Sequence, residues 1–326
     1  MLPPPEHPSG PDAATERAWN AAARRSPQVD PFCCRSEWQL AFHEVFASER
    51  PLLFAGDADS CMVFAQVPLR GAMLLAPIES SWQFGCPLLG PHALDVLERW
   101  LHDAPGRDET RLLISGVAER SALADGLRRR FADSHAFSLV HTDTACSASL
   151  DGGLDGYLAR RSPGTRRNVR AAARRAAEHG VTFERAAPTD AATAQTIYAR
   201  MLQVERRSWK GIGRCGMTVP PSRQFYAALL ERMAASATAR VMFARHEGVD
   251  IGFVFGGVAD GCYRGQQFSY VEHWSPFSIG NLLQLEQLRW LGEEGAERYD
   301  MGPMMDYKRH WTEQWQPSES WLLQPR

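Results

Sequence analysis

The chain has 326 residues, 44% hydrophobic and 23% charged, which describes a globular protein too long for one ordinary core, so two domains are expected. A formal net charge of -2 excludes a protein whose main business is non-specific nucleic-acid binding, although a local basic patch survives that test. No segment approaches about eighteen consecutive apolar residues, so no membrane span is expected, and seven scattered cysteines without a CxxC fit reduced thiols in a cytoplasmic protein.

Residues 1–30 are rich in Pro, Ala and charge and lack the apolar run of a signal peptide, so they read as a flexible leader. SEWQLAFHEVFA (36–47) has apolar residues at helical spacing after a Ser and predicts a helix. Strands are predicted over PLLFAG (51–56), CMVFAQVPL (61–69) and AMLLAP (72–77), then a loop over GCPLLGP (85–91). ALDVLERWLHDA (93–104) predicts a helix, RLLISGV (111–117) a strand and SALADGLRRRFA (121–132) a helix. These elements make residues 31–150 one compact half of α/β or α+β type.

The second half, 151–326, opens on an arginine-rich joint. DGYLARRSPGTRRNVRAAARRAAEHGVTFERA (155–186) reads as a helix, a break at Pro163-Gly164, an Arg/Ala helix ended by Gly180, and a strand. Residues 160–175 hold seven arginines and no acid, and Arg166, Arg170 and Arg174 share one helix face. Such a face is either solvated or contacts the phosphates of a ligand or an RNA. A helix (190–208), the turn SWKGIGRCGM (208–217) and a helix over 221–234 follow. ARVMFARHE (239–247), VDIGFVFGGVAD (249–260) and GCYRGQQFSYV (261–271), joined by tight turns, predict an antiparallel meander. HWSPFSIGNLLQLEQLRWL (273–291) then opens a helix, ERYDMG (297–302) a strand and MDYKRHWTEQW (305–315) a short helix.

Several residues here carry candidate chemistry. Ser278 can cap the first turn of its helix, and with Ile279, Gly280 and Asn281 it forms a start whose free N–H groups and dipole favour a phosphate; the alternative is an ordinary capped helix. Strand alternation puts Arg264, Gln266, Phe268, Tyr270 and Glu272 on one face, with Gln267 and Ser269 on the other. So many polar groups on a middle strand imply either a hydrogen-bonded network or a substrate-lined cleft using Arg264, Gln266, Gln267 and Tyr270. Glu272, at the end of that strand, is the candidate base. Asp300, Asp306, Tyr307 and Lys308 lie at and beyond the end of ERYDMG, where clefts of open sheets form; Asp300 is a catalytic candidate and Asp306 a substrate contact. Trp209 and Lys210, flanked by Gly211 and Gly213, suit either a lid over an acceptor or a packed corner. The histidines make no HExxH and no Ser-His-Asp context, so no metal is expected.

In their order, RRSPGTRRNVRAAARRAAEHG, SWKG (208–211), YRGQQFSY (263–270), SIGNLLQ (278–284) and YDMGPMMDYKRHW (299–311) resemble the GCN5-related N-acetyltransferase (GNAT) superfamily. The likeness is to its CelD-like or BioF2-like acetyltransferase branch, related to the FemAB aminoacyltransferases. EW (37–38), PLRG (68–71) and CPLLGP (86–91) are similar to the first half of that branch, so the resemblance spans about residues 32–320. It implies two GNAT-like domains in tandem, each a mixed, largely antiparallel sheet flanked by helices. The implied activity is N-acyl transfer from acyl-CoA, such as acetyl-CoA, to an amine of a small-molecule, sugar or envelope-precursor acceptor. It also implies that Tyr307 protonates the leaving thiolate and that Lys308 meets a phosphate or an acidic substrate group. The family's Gly-rich pyrophosphate loop is replaced by WSPFSIGN, with Gly280 alone. Aminoacyl-tRNA, held through Arg166, Arg170 and Arg174, therefore stays open as the donor, and so does a non-catalytic CoA-binding or scaffold role.

Overall fold

A computed structural model describes residues 10–26, 30–103 and 109–326. Two compact units divide the chain, Met1–Ala145 with Gln316–Arg326, and Cys146–Trp315.

Unit 1 begins with α1 (Ala13–Arg24) and α2 (Ser36–Phe46), followed by β1 (Leu52–Gly56), β2 (Cys61–Leu69), β3 (Ala72–Ala76) and the short β4 (Leu88–Leu89). Next come α3 (Ala93–Asp103), β5 (Thr110–Ala118), α4 (Ala122–Phe131) and β6 (His135–Ser149), whose residues 146–149 belong to unit 2. The strands β1-β2-β3 form an antiparallel meander, and β5 joins it in parallel over only three pairs, Met73↔Thr110 to Leu75↔Leu112. Beyond those pairs the unit's own chain lies against β5. Ser115 Oγ donates to the Gly85 carbonyl at 2.5 Å, and a Cβ on Gly116 would sit 2.6 Å from the Phe84 carbonyl oxygen.

Unit 2 also has a meander, a helix and a parallel strand in that order, preceded by helices and one further strand. It holds α5 (Gly153–Ala159), α6 (Pro163–Glu178), β7 (Thr182–Ala186), α7 (Ala191–Arg206), the one-turn α8 (Trp209–Ile212) and α9 (Ser222–Ala235). There follow β8 (Ala239–His246), β9 (Val249–Ala259), β10 (Cys262–Tyr270), α10 (Ile279–Glu293) and β11 (Arg298–Pro303); β12 (Gln314–Pro325) starts here and returns to unit 1. The sheet order is β11-β10-β9-β8-β7, antiparallel throughout except for β10 and β11. Each unit is thus a mixed, largely antiparallel sheet flanked by helices. The core of unit 2 is built around α10. Ile279, Leu282, Leu283 and Trp290 pack with Ala172 and Ala176 of α6 and with Met242 and Val254, while Leu288 and Leu291 pack with Tyr157, Tyr263 and Tyr299. Among the described residues, no helix is long and apolar enough to cross a membrane.

Some expectations are corrected here. Part of the expected leader is ordered: Asp12 caps α1, whose alanine-rich sequence favours helix, and Trp19 is buried with its indole donating to the Cys34 carbonyl at 2.8 Å. Residues 1–9 and 27–29 of that leader lie outside the described residues. The break expected at Pro163-Gly164 falls between α5 and α6, and these two residues themselves open α6, with Ser162 as the cap and Pro163 in the first turn, where a missing N–H costs nothing. The turn 208–217 contains the one-turn helix α8. β6 and β12 were not expected at all. β6 is largely exposed over its first half, and β12 carries Pro317, so neither shows a clean apolar alternation. β12 pairs with β5, from Ser318↔Ala118 to Leu323↔Leu112, which carries residues 316–326 out of the second unit.

Candidate active site

The parallel pairing of β10 with β11 covers Cys262↔Arg298, Tyr263↔Tyr299 and Arg264↔Asp300. Past that point the pairing of β10 with β9 is irregular between Gly265 and Gln267, which leaves Gln266 as the extra residue of a bulge. A cavity of about 390 Å³ opens in the wedge. β10 contributes Gly265–Phe268 to it and β11 contributes Tyr299 and Met301; Met305, Tyr307, Lys308 and Trp311 close one side, and Trp209, Lys210, Cys215 and Gly216 another. A second cavity of about 310 Å³ lies over the start of α10, lined by Ser278, Gly280 and Asn281 with Tyr270 and Ser275. The two share Trp209, Phe268, Gln284, Tyr307 and Trp311. Every lining residue belongs to unit 2.

Arg264 and Asp300 mark the point where the strands part, and both are almost fully buried. Arg264 Nε lies 3.9 Å from Asp300 Oδ2, its Nη1 donates to the Gly265 carbonyl at 3.0 Å, and Asp300 Oδ1 accepts from the Gly302 N–H at 2.7 Å. Gly302 has φ +73°, and a Cβ there would occupy the space of the Arg264 guanidinium. Next along the chain, Lys308 Nζ donates to the carbonyls of Met301 and Pro303, each at 2.6 Å, which ties the 3-10 turn Asp306–His310 to the end of β11. Tyr307 in that turn is half-exposed, its ring centroid 6.0 Å from that of Phe268, and burial pushes its hydroxyl above the ordinary tyrosine value.

Opposite, a polar network holds the loop after α7. Lys210 Nζ donates to Gln267 Oε1 at 2.8 Å and to the Phe268 carbonyl at 2.9 Å, while Gln267 Nε2 donates to Tyr226 Oη at 2.7 Å. Glu205, fully buried, accepts from the Ser269 hydroxyl and from the Met217 N–H. Burial draws the Lys210 ammonium below the ordinary lysine value, with Glu205 and Cys215 opposing. Among the described residues no cluster of His, Cys, Asp or Glu could hold a metal ion.

Of the residues singled out from sequence, Trp209, Lys210, Gln266, Gln267, Tyr270, Ser278, Gly280, Asn281, Tyr307 and Lys308 line the two cavities. Glu272, Asp300, Arg264, Asp306 and Ile279 do not. Glu272 is exposed in the 3-10 turn Glu272–Phe277, where its N–H donates to the Arg207 carbonyl. Arg264 and Asp300 are spent on holding the strands. The Asp306 side chain is 98% exposed and lies 3.4 Å from Arg309. Ile279 belongs to the core. Ser278 does not cap α10 through its hydroxyl, because its backbone is left-handed (φ 58°) and not the extended form that side-chain capping uses. On α6, Arg166 reaches back to the carbonyls of Ala159 and Arg161, whereas Arg170 and Arg174 are exposed. Glu205, Tyr226, Gln284 and the two methionines of the wedge were missed. Of these, Glu205 carried the clearest signal, an acid in an otherwise apolar helical stripe.

Replacing Arg264 with Met should lower stability by about 3–5 kcal/mol, because Asp300 is left buried without its cation. In thermal or urea denaturation, the double variant Arg264→Met/Asp300→Asn should lose less than the sum of the single changes. Strictly additive losses would show that the two residues do not act as a pair.

Residues 163–309 match the family model of the acetyltransferase (GNAT) domain. No curated protein matches the chain. Among solved structures, FemX is 12% identical with a TM-score of 0.67, covering 93% of this chain and 95% of that one. The C-terminal domain (DUF2156) of a candidate lysylphosphatidylglycerol synthetase from Agrobacterium fabrum is 14% identical with a TM-score of 0.58, covering 95% and 91%. L-PGS from Bacillus licheniformis is 14% identical with a TM-score of 0.55, covering 89% and 91%. At these identities the likeness is one of fold. Residues 163–309 thus carry a GNAT acetyltransferase domain, and the fold of the chain is like that of FemX.

Proposed function

We propose that the protein is an N-acyltransferase that moves an acyl group from acyl-CoA, acetyl-CoA being the simplest, to an amine of a small-molecule, sugar or envelope-precursor acceptor. The observation that carries this reading is the pair of adjoining cavities, one over a helix start and one in a strand wedge, with Tyr307 in the wall of both. A pyrophosphate fits the first, where the opening N–H groups of α10 have no acceptor within the helix and its dipole favours an anion. The thioester then reaches the wedge. Gln266 Nε2, buried there without a protein partner, is placed to meet the acyl oxygen as negative charge develops on it. Tyr307 supplies the proton for the departing thiolate, and a hydroxyl held protonated by burial suits that task.

Exposed Arg167, Arg170, Arg174 and Arg175 on α6 favour a second reading, in which the donor is aminoacyl-tRNA. Neutralising Arg170 and Arg174 should then weaken tRNA binding and flatten its log-log salt dependence by about one per lost contact. A CoA-dependent enzyme shows no tRNA affinity to lose at physiological salt. A scaffold without activity binds CoA and forms no product from labelled acyl-CoA.

Gly280 tests the donor site. A Cβ there would lie 3.0 Å from Tyr270 Cε1 and 3.3 Å from Phe268 Cε2, so Gly280→Val must push both rings and its own methyls into the space over the helix start. Calorimetry should show CoA affinity reduced at least about tenfold, in line with the loss of close backbone approach to a phosphate. Unchanged affinity would remove the phosphate assignment.

Tyr307→Phe keeps the ring against Phe268 and deletes the proton. Turnover should fall at least about tenfold with donor affinity spared, since a general acid typically contributes 10²–10⁴-fold. The loss should shrink for an acyl donor with a better leaving group. An equal loss on both donors would return Tyr307 to a packing role.

A further inference from the structure

The chain contains 36 Lys and Arg residues, and only two of them, Lys210 and Lys308, are lysine; both line the cavity between β10 and β11. Arginine serves every other basic position, and arginine cannot give up its proton in a protein, whereas a lysine amine can. No Asp, Glu or His lines that cavity among the described residues, so its titratable side chains are the two lysines, Tyr299, Tyr307 and Cys215.

The two lysines are held differently. Lys308 is buried against the end of β11, where its Nζ donates to two carbonyls, whereas Lys210 is half-buried and bridges a loop to the bulged strand. The Gln267 amide is oriented by its own bond to Tyr226, so that its oxygen faces Lys210. Two N–H bonds, to Gln267 Oε1 and to the Phe268 carbonyl, are the full donor capacity of a neutral primary amine. In that neutral form the remaining tetrahedral position on Nζ is a lone pair.

We infer that Lys210 is the proton acceptor of the transfer reaction, its neutral amine taking the proton that the acceptor nitrogen sheds as it attacks the acyl carbon. This rests on the acyltransfer reading above. The acceptor nitrogen forms a C–N bond to the acyl carbon, its proton passes to the Lys210 lone pair, the C–S bond breaks, and the thiolate takes the Tyr307 proton. Exchange with water returns the Lys210 ammonium and the Tyr307 phenolate to their resting forms, and the products are an amide and a thiol. The surroundings suit a group that must hold a proton briefly. Desolvation favours the neutral amine, while Glu205 on α7 and Cys215 on the loop favour the ammonium once it forms. Tyr226 on α9 reaches Lys210 through Gln267, and Lys308, Tyr299 and Tyr307 share its cavity.

The scarcity of lysine makes the test direct. Protein labelled with ¹³C at lysine Cε gives two side-chain resonances, assigned by comparison with Lys210→Arg. The Lys210 resonance should titrate clearly below the ordinary lysine value of about 10.4, and saturating acetyl-CoA should displace it. Titration at or above that value overturns the proposal even when CoA binds, whereas absence of CoA binding by calorimetry sinks the acyl-CoA reading itself. With acetyl-CoA as donor and a panel of primary amines as acceptors, thiol release should fall at least about tenfold in both Lys210→Arg and Lys210→Gln. Wild-type kcat/KM should rise with pH through the Lys210 titration. Activity kept by arginine and lost with glutamine would mean a fixed positive charge and would overturn the assignment.

Discussion

The site depends on one constraint, the separation of β10 from β11 after three residue pairs. Two parallel strands would ordinarily continue side by side, since each further pair satisfies backbone groups that are otherwise expensive to bury. Here Arg264 and Asp300 occupy the last paired positions, and Gly302 gives the guanidinium room that no other residue could. The bulge at Gln266 interrupts the regular pairing of β10, and Lys308 ties the turn after β11 to the end of that strand. Charged residues that look catalytic in the sequence therefore do structural work at the root of the wedge. The functional groups with access to the cavity are amides, aromatic rings, thioethers, the Cys215 thiol and two amines.

The same order of elements in the two units gives different results. In unit 1 the meander, helix and parallel strand also leave a three-pair junction, between β3 and β5, but residues 84–86 lie against Ser115 and Gly116 beyond it. In unit 2 the corresponding gap between β10 and β11 holds a cavity lined by polar, aromatic and apolar side chains. A shared architecture fixes where a gap can arise; local packing decides whether it stays empty.

Several segments were legible in the sequence: α7 by the spacing that burial of one face imposes, and the meander β8-β9-β10 by short apolar runs bounded by tight turns. Strands β6 and β12 were not, because one is half-exposed and the other contains proline. Position along the chain was enough to place Tyr307, Lys308 and the start of α10 at the cavities, because they fall at element ends. It was not enough to assign roles to Asp300 or Glu272. Whether a carboxylate faces a cavity, a guanidinium or solvent depends on contacts between residues far apart in sequence. Arg264 with Gly302 and Gln267 with Tyr226 are such contacts, and no spacing rule encodes them.

The return of β12 to unit 1 has a consequence for synthesis on the ribosome. β5 is edged by residues that are translated only after all of unit 2, so the first sheet emerges with that edge uncovered. Unit 2 is continuous in the chain and has every strand of its meander before that moment. The usual order, in which the N-terminal part of a chain matures first, is therefore reversed in one step: a segment made after unit 2 completes the sheet made before it.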